Sequence, residues 1–345
     1  MRLLPCFLSR RCGAGLFAGG LLLTLVSSVR AFDPYSSGAT WPGSVQTAQI
    51  GGSLDNTASS DWWYGCAPTS VGMLLGYYDR NGYNGYAYDN LIPGGVAEVG
   101  VSGQWSADSA ILRRAIASEG HQRDFYNAAT YGYNTGGGIG YGFGESGDDL
   151  STNRSFDCIA DFMLTSQDSV GHPNGGTTFA WDMGGLVYPV DAIREYRGQS
   201  PSGLCGIEDY IEWTGYSVAS LYTESIDSYV AANGHSGGFT LLDYEAEIDA
   251  GRPVLLGLNG HMVLGVGYDE GTDLIEIYDT WDTETHTMEW GGIYSPDEYE
   301  MVFASVLELA PPNVSVPEAG ASALLFGLVG MLWTGARRRC ASNRG

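Results

Sequence analysis

The stretch GRPVLLGLNGHMVLGVGYDE, residues 251–270, sets two apolar runs around a two-residue Asn259-Gly260 turn. Pro253 to Leu258 reads as a buried-type strand, and residues 261 to 268 as the strand that returns beside it. His261 opens the second strand. A histidine at a strand start beside a turn can face a cleft while Val263, Gly265 and Gly267 continue its face of the sheet. The next strand, in LIEIYDTWD (274–282), ends at Asp279, Thr280 and Trp281. A carboxylate there can hold the imidazole through its second ring nitrogen, and the adjacent indole can shield that bond from water.

A base needs a nucleophile, and DWWYGCAPTS, residues 61–70, supplies Cys66. Downstream of it Val71, Leu74, Leu75 and Tyr78 recur three and four apart, with Pro68 in the first turn, so a helix is predicted to begin at the cysteine. The helix dipole and the free N–H groups there are expected to lower the thiol pKa and to receive an oxyanion. The other four histidines, His121, His172, His235 and His286, read as surface residues in turns, loops or at a helix end. Cysteine counting agrees with a free Cys66. Cys6 and Cys12 lie in the N-terminal segment and Cys340 in the tail, which leaves three, and Cys158 and Cys205 are the expected disulfide pair.

A cysteine at a helix N-terminus, then Gly-His-Met-Val-Leu-Gly-Val-Gly-Tyr-Asp on a strand, then Asx-x-Trp on the next, resembles the papain-like cysteine peptidases. The lead-in EAEIDAGRPVLLGL (245–258) is most similar to the branch of bacteriocin-leader-processing peptidases that cut after a double glycine. The resemblance implies Cys66 as nucleophile, His261 as general base and Asp279, in place of an Asn, as the orienting residue. It spans the nucleophile helix and Glu245 to Asp282. One family feature is absent: a Gln about six residues before the nucleophile, which donates to the oxyanion and whose loss typically costs about 10²–10³ in turnover. The region reads NTASSDWWYGC (56–66). Ser60 or Asn56 could replace the Gln with a shifted loop, and the Asp61 carboxylate would repel an oxyanion.

Helices are predicted near 66–79, 106–119, 156–165, 206–213, 224–232 and 243–250, and strands near 253–258, 261–268, 274–279, 288–294 and 300–309. Helices first and a meandering antiparallel sheet last make an α+β fold. A helical lobe carrying the nucleophile helix is expected to pack on an antiparallel sheet carrying His261 and Asp279.

The chain ends read differently. Residues 1–31, with Arg2, Arg10 and Arg11 before an apolar run, read as a secretory signal. Residues 32–310 form the peptidase-like domain, with a long Gly/Tyr-rich insert that includes YGYNTGGGIGYGFGESGDD (131–149). Residues 311–345 form a linker and tail: Val316-Pro317-Glu318, an apolar stretch from Ala319 to Ala336, then Arg337, Arg338 and Arg339. This order resembles the PEP-CTERM tails that exosortases process in Gram-negative bacteria, although Ala319 stands where the motif usually has Pro. The resemblance implies export to the periplasm or outer surface, an exosortase-type partner and a membrane contact through the tail.

The formal charge is −24, and residues 32–310 hold 39 acidic against 8 basic side chains, with no lysine anywhere. Such a surface repels phosphate backbones and excludes nucleic acid as a partner. The sequence implies no cofactor. Calcium ligands could come from Asp148, Asp149, Asp269, Glu270 and Asp273 or from the run Asp79–Asp89, yet none has EF-hand spacing. Two functions fit these readings: an exported, envelope-associated cysteine peptidase acting on peptide or protein through a thioester, or a papain-like scaffold without turnover that binds at the cell surface.

Overall fold

The computed structural model describes residues 28–29, 52–102, 110–125, 154–172, 175–197, 202–294 and 299–312. The expected signal, the sorting tail and the 131–149 loop lie outside these residues, except that Ser28–Val29 (β1) pairs antiparallel with Thr177–Thr178 (β3). Among the described residues no helix is long and apolar enough to cross a membrane.

Gly52–Ser53 (β2) leads to the long helix Cys66–Asn81 (α1). Short helices follow at Ile111–Ile116 (α2), Glu119–Phe125 (α3) and Ile159–Phe162 (α4), and after β3 come Tyr188–Pro189 (β4), Val190–Arg197 (α5) and Gly203–Trp213 (α6). The second half holds Val218–Ser225 (β5), Asp227–Ala232 (α7), Leu241–Asp249 (α8), Val254–Leu258 (β6), His261–Tyr268 (β7), Leu274–Tyr278 (β8), His286–Glu289 (β9), Ile293–Tyr294 (β10) and Tyr299–Leu309 (β11). Apart from the β1–β3 pair, the described strands form one antiparallel sheet in the order β4-β5-β11-β6-β7-β8-β9, with β10 on β11 and β2 on β7. The architecture is mixed helix and antiparallel sheet, compatible with a papain-like α+β fold.

The sheet is less strictly C-terminal than the sequence suggests. β5 lies beside β11 in its interior, where the sequence predicts no strand, and α7 is shorter than the predicted 224–232 helix. The alternation in VASLYTES is real, since Leu221, Thr223 and Ser225 are buried, but two of those three are hydroxyl residues. A pattern read from hydrophobicity misses such a strand. The predicted 106–119 helix resolves into α2 and α3, whose junction is the extended Ala117.

Every residue of β6 and β7 is buried, because helices cover both faces of the sheet there. Leu255, Met262, Leu264 and Val266 pack in the core that contains α1, whereas Val254, Leu256, Leu258 and Val263 pack in the core that contains α8. Alternate residues thus serve two cores, each aliphatic side chain contributing about 1.5–3 kcal/mol of burial. α8 is fixed at its start by a reciprocal cap: Asp243 N–H donates to Thr240 Oγ1, and Thr240 N–H to Asp243 Oδ2. Gly72 lets α2 approach α1, since a Cβ there would lie 2.4 Å from Ile116 Cγ1. The consequence for function is positional: α1 lies on β7, so its first residue and the first residues of β7 come together.

Candidate active site

The chain turns sharply into α1. Tyr64 takes a left-handed backbone (φ 59°) and Gly65 has φ 155° and ψ 135°. Thr69 fastens this turn, its hydroxyl donating to Gly65 O at 2.7 Å while accepting the Trp63 N–H at 3.0 Å. Cys66 is thereby the first helical residue, as the sequence predicts, and it is fully buried. The main-chain N–H groups of Met262, Ala67 and Cys66 itself approach its sulfur. Met262 follows His261, so the helix N-terminus and the start of β7 meet at this atom.

The expectation of a depressed thiol pKa is overturned. Burial pushes Cys66 up from 9.0 to about 12, against the three N–H groups that favour the thiolate. A helix terminus contributes about 0.3–1 kcal/mol, rarely ~2, and taking an anion out of water costs more than that.

His261 is also fully buried. Its Nε2 donates to the main-chain oxygen of Asp279 at 2.7 Å, which makes Nδ1 the basic nitrogen, and Nδ1 has no hydrogen-bond partner. Trp281 stacks on the imidazole, with ring centroids 5.0 Å apart and planes 12° from parallel, and Tyr299 lies 5.6 Å away. Burial lowers the His261 pKa from 6.5 to about 4, partly offset by the hydrogen bond to Asp279. The resting arrangement is therefore a neutral thiol and a neutral imidazole.

Asp279 holds His261, but through its carbonyl and not through the carboxylate that the sequence reading proposed. Its side chain turns elsewhere: Trp281 N–H donates to Oδ1 at 2.9 Å and Tyr294 OH to Oδ2 at 2.8 Å, with His286 Nε2 3.6 Å from Oδ2. Burial raises the Asp279 pKa, opposed by His286 and these two donors. Tyr294 and His286 are partners that no spacing rule points to, because they arrive from β9 and β10 by tertiary pairing.

Three residues in the stretch before the cysteine bear on a second oxyanion donor: Asn56, Ser60 and Asp61. Asn56 accepts from Arg80 and donates to Asn81, in the last turn of α1, about 20 Å from Cys66 at 1.5 Å per residue. It is excluded. The Ser60 hydroxyl donates to Asp61 O at 2.9 Å. The Asp61 carboxylate pairs with Arg113, a buried guanidinium stacked 4.3 Å over Trp63, so its repulsion is neutralised. Of the two arginines in the helix segment ILRRAI, Arg113 is the buried one, between Leu112 and Ile116 on the inner side, and that placement is the sequence signal for the pair. The N–H groups of Cys66 and Ala67 remain at the helix start.

Other expectations need correction. Cys158 and Cys205 are both free thiols. The Cys158 sulfur takes main-chain N–H groups of Ser118 and Asp161, and Cys205 lies beside Ser202 and Arg194, so the two face different neighbours. His121 and His172 are buried, not surface, residues, bonded at Nδ1 to Asp161 and to Leu164 O. His235 is exposed and His286 half-buried. Asp79 accepts the N–H groups of Ile92 and Ala97, so its carboxylate clips the loop that follows α1. Asp148 and Asp149 lie outside the described residues. Asp269, Glu270 and Asp273 form no metal-ligating cluster among the described residues.

The buried imidazole carries a pH signature. A folded pKa below the unfolded one means the native state binds fewer protons, so this contribution is present above pH 6.5 and is lost as the pH falls toward about 4. The loss is on the order of 3 kcal/mol. Denaturant melts of the parent and of His261→Asn from pH 7 to 4 should show the parent losing that much more stability than the variant. Parallel curves would mean that the imidazole is not buried in neutral form.

Residues 159–295 match the model of the Peptidase_C39 like family. The match contains β6 to β10, with His261 and Asp279, and stops short of Cys66 on its N-terminal side. No curated protein and no solved structure gives a match. About two fifths of the chain, the part that carries the histidine and its partner, is thus similar to cysteine peptidases of papain-like type.

Proposed function

We propose that this chain is an exported, envelope-associated cysteine peptidase that cleaves a peptide or amide bond through a thioester on Cys66. The observation that carries the reading is the meeting of the α1 N-terminus with the start of β7: the Cys66 sulfur under the Met262 N–H, one residue from a His261 held at Nε2 by Asp279 O. Opening of the site to substrate restores water to both groups and relaxes the pKa gap that burial sets. His261 Nδ1 then takes the thiol proton as sulfur attacks the carbonyl carbon. The N–H groups of Cys66 and Ala67 receive the oxyanion, the imidazolium returns the proton to the leaving amine, and water cleaves the thioester with the same base. The double-glycine preference and the PEP-CTERM tail, with exosortase processing and membrane association, belong to this proposal on sequence resemblance.

The second reading, a papain-like scaffold without turnover, is favoured by two observations: both reacting groups are fully buried, and no Gln stands about six residues before the cysteine. A peptide library incubated with the reduced protein, with new termini identified by mass spectrometry, separates the two. Cleavage is the expected result. A folded protein that cuts nothing, with or without calcium, supports the scaffold.

A further inference from the structure

Behind His261, the segment joining β8 to β9 gathers three metal-ligating atoms: an Asp279 carboxylate oxygen, Asp282 Oδ1 and His286 Nε2, all within 4.8 Å of one another. His286 Nε2 is 3.0 Å from Asp282 Oδ1 and 3.6 Å from Asp279 Oδ2. A tetrahedral ion with bonds of 2.0–2.2 Å has ligand-to-ligand edges of roughly 3.3–3.6 Å; the 3.6 Å separation falls within that range, and the 3.0 Å one, a hydrogen bond between the two side chains, needs only a few tenths of an ångström of opening to reach it. From these atoms we propose that Asp279, Asp282 and His286 bind a divalent transition cation of the Zn²⁺ class, which ties down the turn holding His261. The site does not depend on the peptidase reading; only its effect on hydrolysis does.

Charge supports the assignment. Two carboxylates face one imidazole, and among the described residues no arginine pairs with either. The Asp279 side chain is fully buried, a position where a carboxylate calls for a counter-charge. Its orientation is already fixed by Tyr294 OH and Trp281 N–H, the kind of outer contact that aims a metal ligand. Asp282 and His286 are partly exposed, which leaves an entry path and an open coordination position. One imidazole with two carboxylates favours zinc, cobalt or manganese over calcium and magnesium, which prefer oxygen alone. The other His–Cys–Asp grouping, His121, Cys158 and Asp161, differs: Arg154 clamps both Asp161 oxygens at 2.6 and 2.7 Å, so a guanidinium already occupies the cation's place.

An ion here would act on the imidazole through one residue. Asp279 would bind it with the carboxylate while its carbonyl holds His261 Nε2, and Trp281, two positions on, stacks on the same ring. Loss of the ion would loosen both contacts.

The test uses the full chain carrying Cys66→Ala, which removes the active-site thiol as a competing zinc ligand. Equilibrium dialysis against Zn²⁺ should give one ion per chain, with affinity reduced at least tenfold in His286→Ala and in Asp282→Asn. Both positions are partly exposed, and circular dichroism checks that the variants fold. Co²⁺ loaded in place of zinc should give visible ligand-field bands without a thiolate charge-transfer band. Absence of stoichiometric zinc, equal affinity in both folded variants, or a thiolate band would overturn the site. Hydrolysis by the chain with Cys66 intact, with and without Zn²⁺, is a separate arm. No hydrolysis alongside intact zinc binding counts against the peptidase reading and leaves the site standing.

Discussion

Cys66→Ala should stay folded and lose peptide hydrolysis by about 10⁴-fold or more, and His261→Ala should lose about as much. The two losses should not add. A nucleophile and its base act as one unit, so the double variant should be no slower than either single one. The structural cost of the first change is small, because Ala keeps the Cβ and removes one buried atom beside the Met262 N–H. Kinetics on a peptide identified in the library screen, with folding followed by circular dichroism, checks all three proteins. Activity in Cys66→Ala that merely follows the folded fraction would remove the thiol from the mechanism.

Gly65→Ala should have the largest effect of any change that leaves the reacting atoms in place. A Cβ at Gly65 would lie 2.9 Å from the Gly175 carbonyl oxygen and 2.9 Å from Pro68 ring carbons, in a backbone region that side chains rarely adopt. Neither neighbour yields easily, since one is backbone and the other a ring packed in the first turn of α1. Strain and overpacking together should cost about 2–4 kcal/mol, or a melting point lower by roughly 5–15 °C for a domain of this size. Relief of the clash moves Cys66, so kcat/KM should fall further than the folded fraction does. Thermal melts and initial rates on the same preparation make the comparison. An unchanged melting point would mean that the Tyr64–Gly65 turn is not built as described.

The parts of the fold that rest on long apolar periods were legible in the sequence. The helix beginning at Cys66 and the β6–β7 hairpin carry apolar runs long enough to be read directly, and both are buried almost throughout. β5 was not legible, because its buried face carries Thr223 and Ser225, whose hydroxyls bond to main-chain oxygens of Ala304 and Asp182. Such polar burial becomes favourable only once the neighbouring strand is in place. The site divides in the same way. Sequence could name Asp279 but not the atom it uses, since the choice between carbonyl and carboxylate is made by Thr280, held at φ 70°, and by Tyr294 arriving from another strand. Charge at the sulfur was misjudged for a related reason: a helix terminus is visible in sequence, whereas the depth of burial that outweighs it is a property of the whole packed interface.

The proposed function rests on one step, attack of Cys66, activated by His261, on a peptide carbonyl. It is tested most directly by treating the reduced, folded protein at neutral pH with a peptidyl electrophile, an epoxysuccinyl or acyloxymethyl ketone probe, and locating the adduct by mass spectrometry. A single adduct is expected on Cys66, formed in the parent and absent in His261→Ala, with Cys158 and Cys205 unmodified. An adduct on Cys158 or Cys205, or labelling of Cys66 at the same rate without His261, would contradict it.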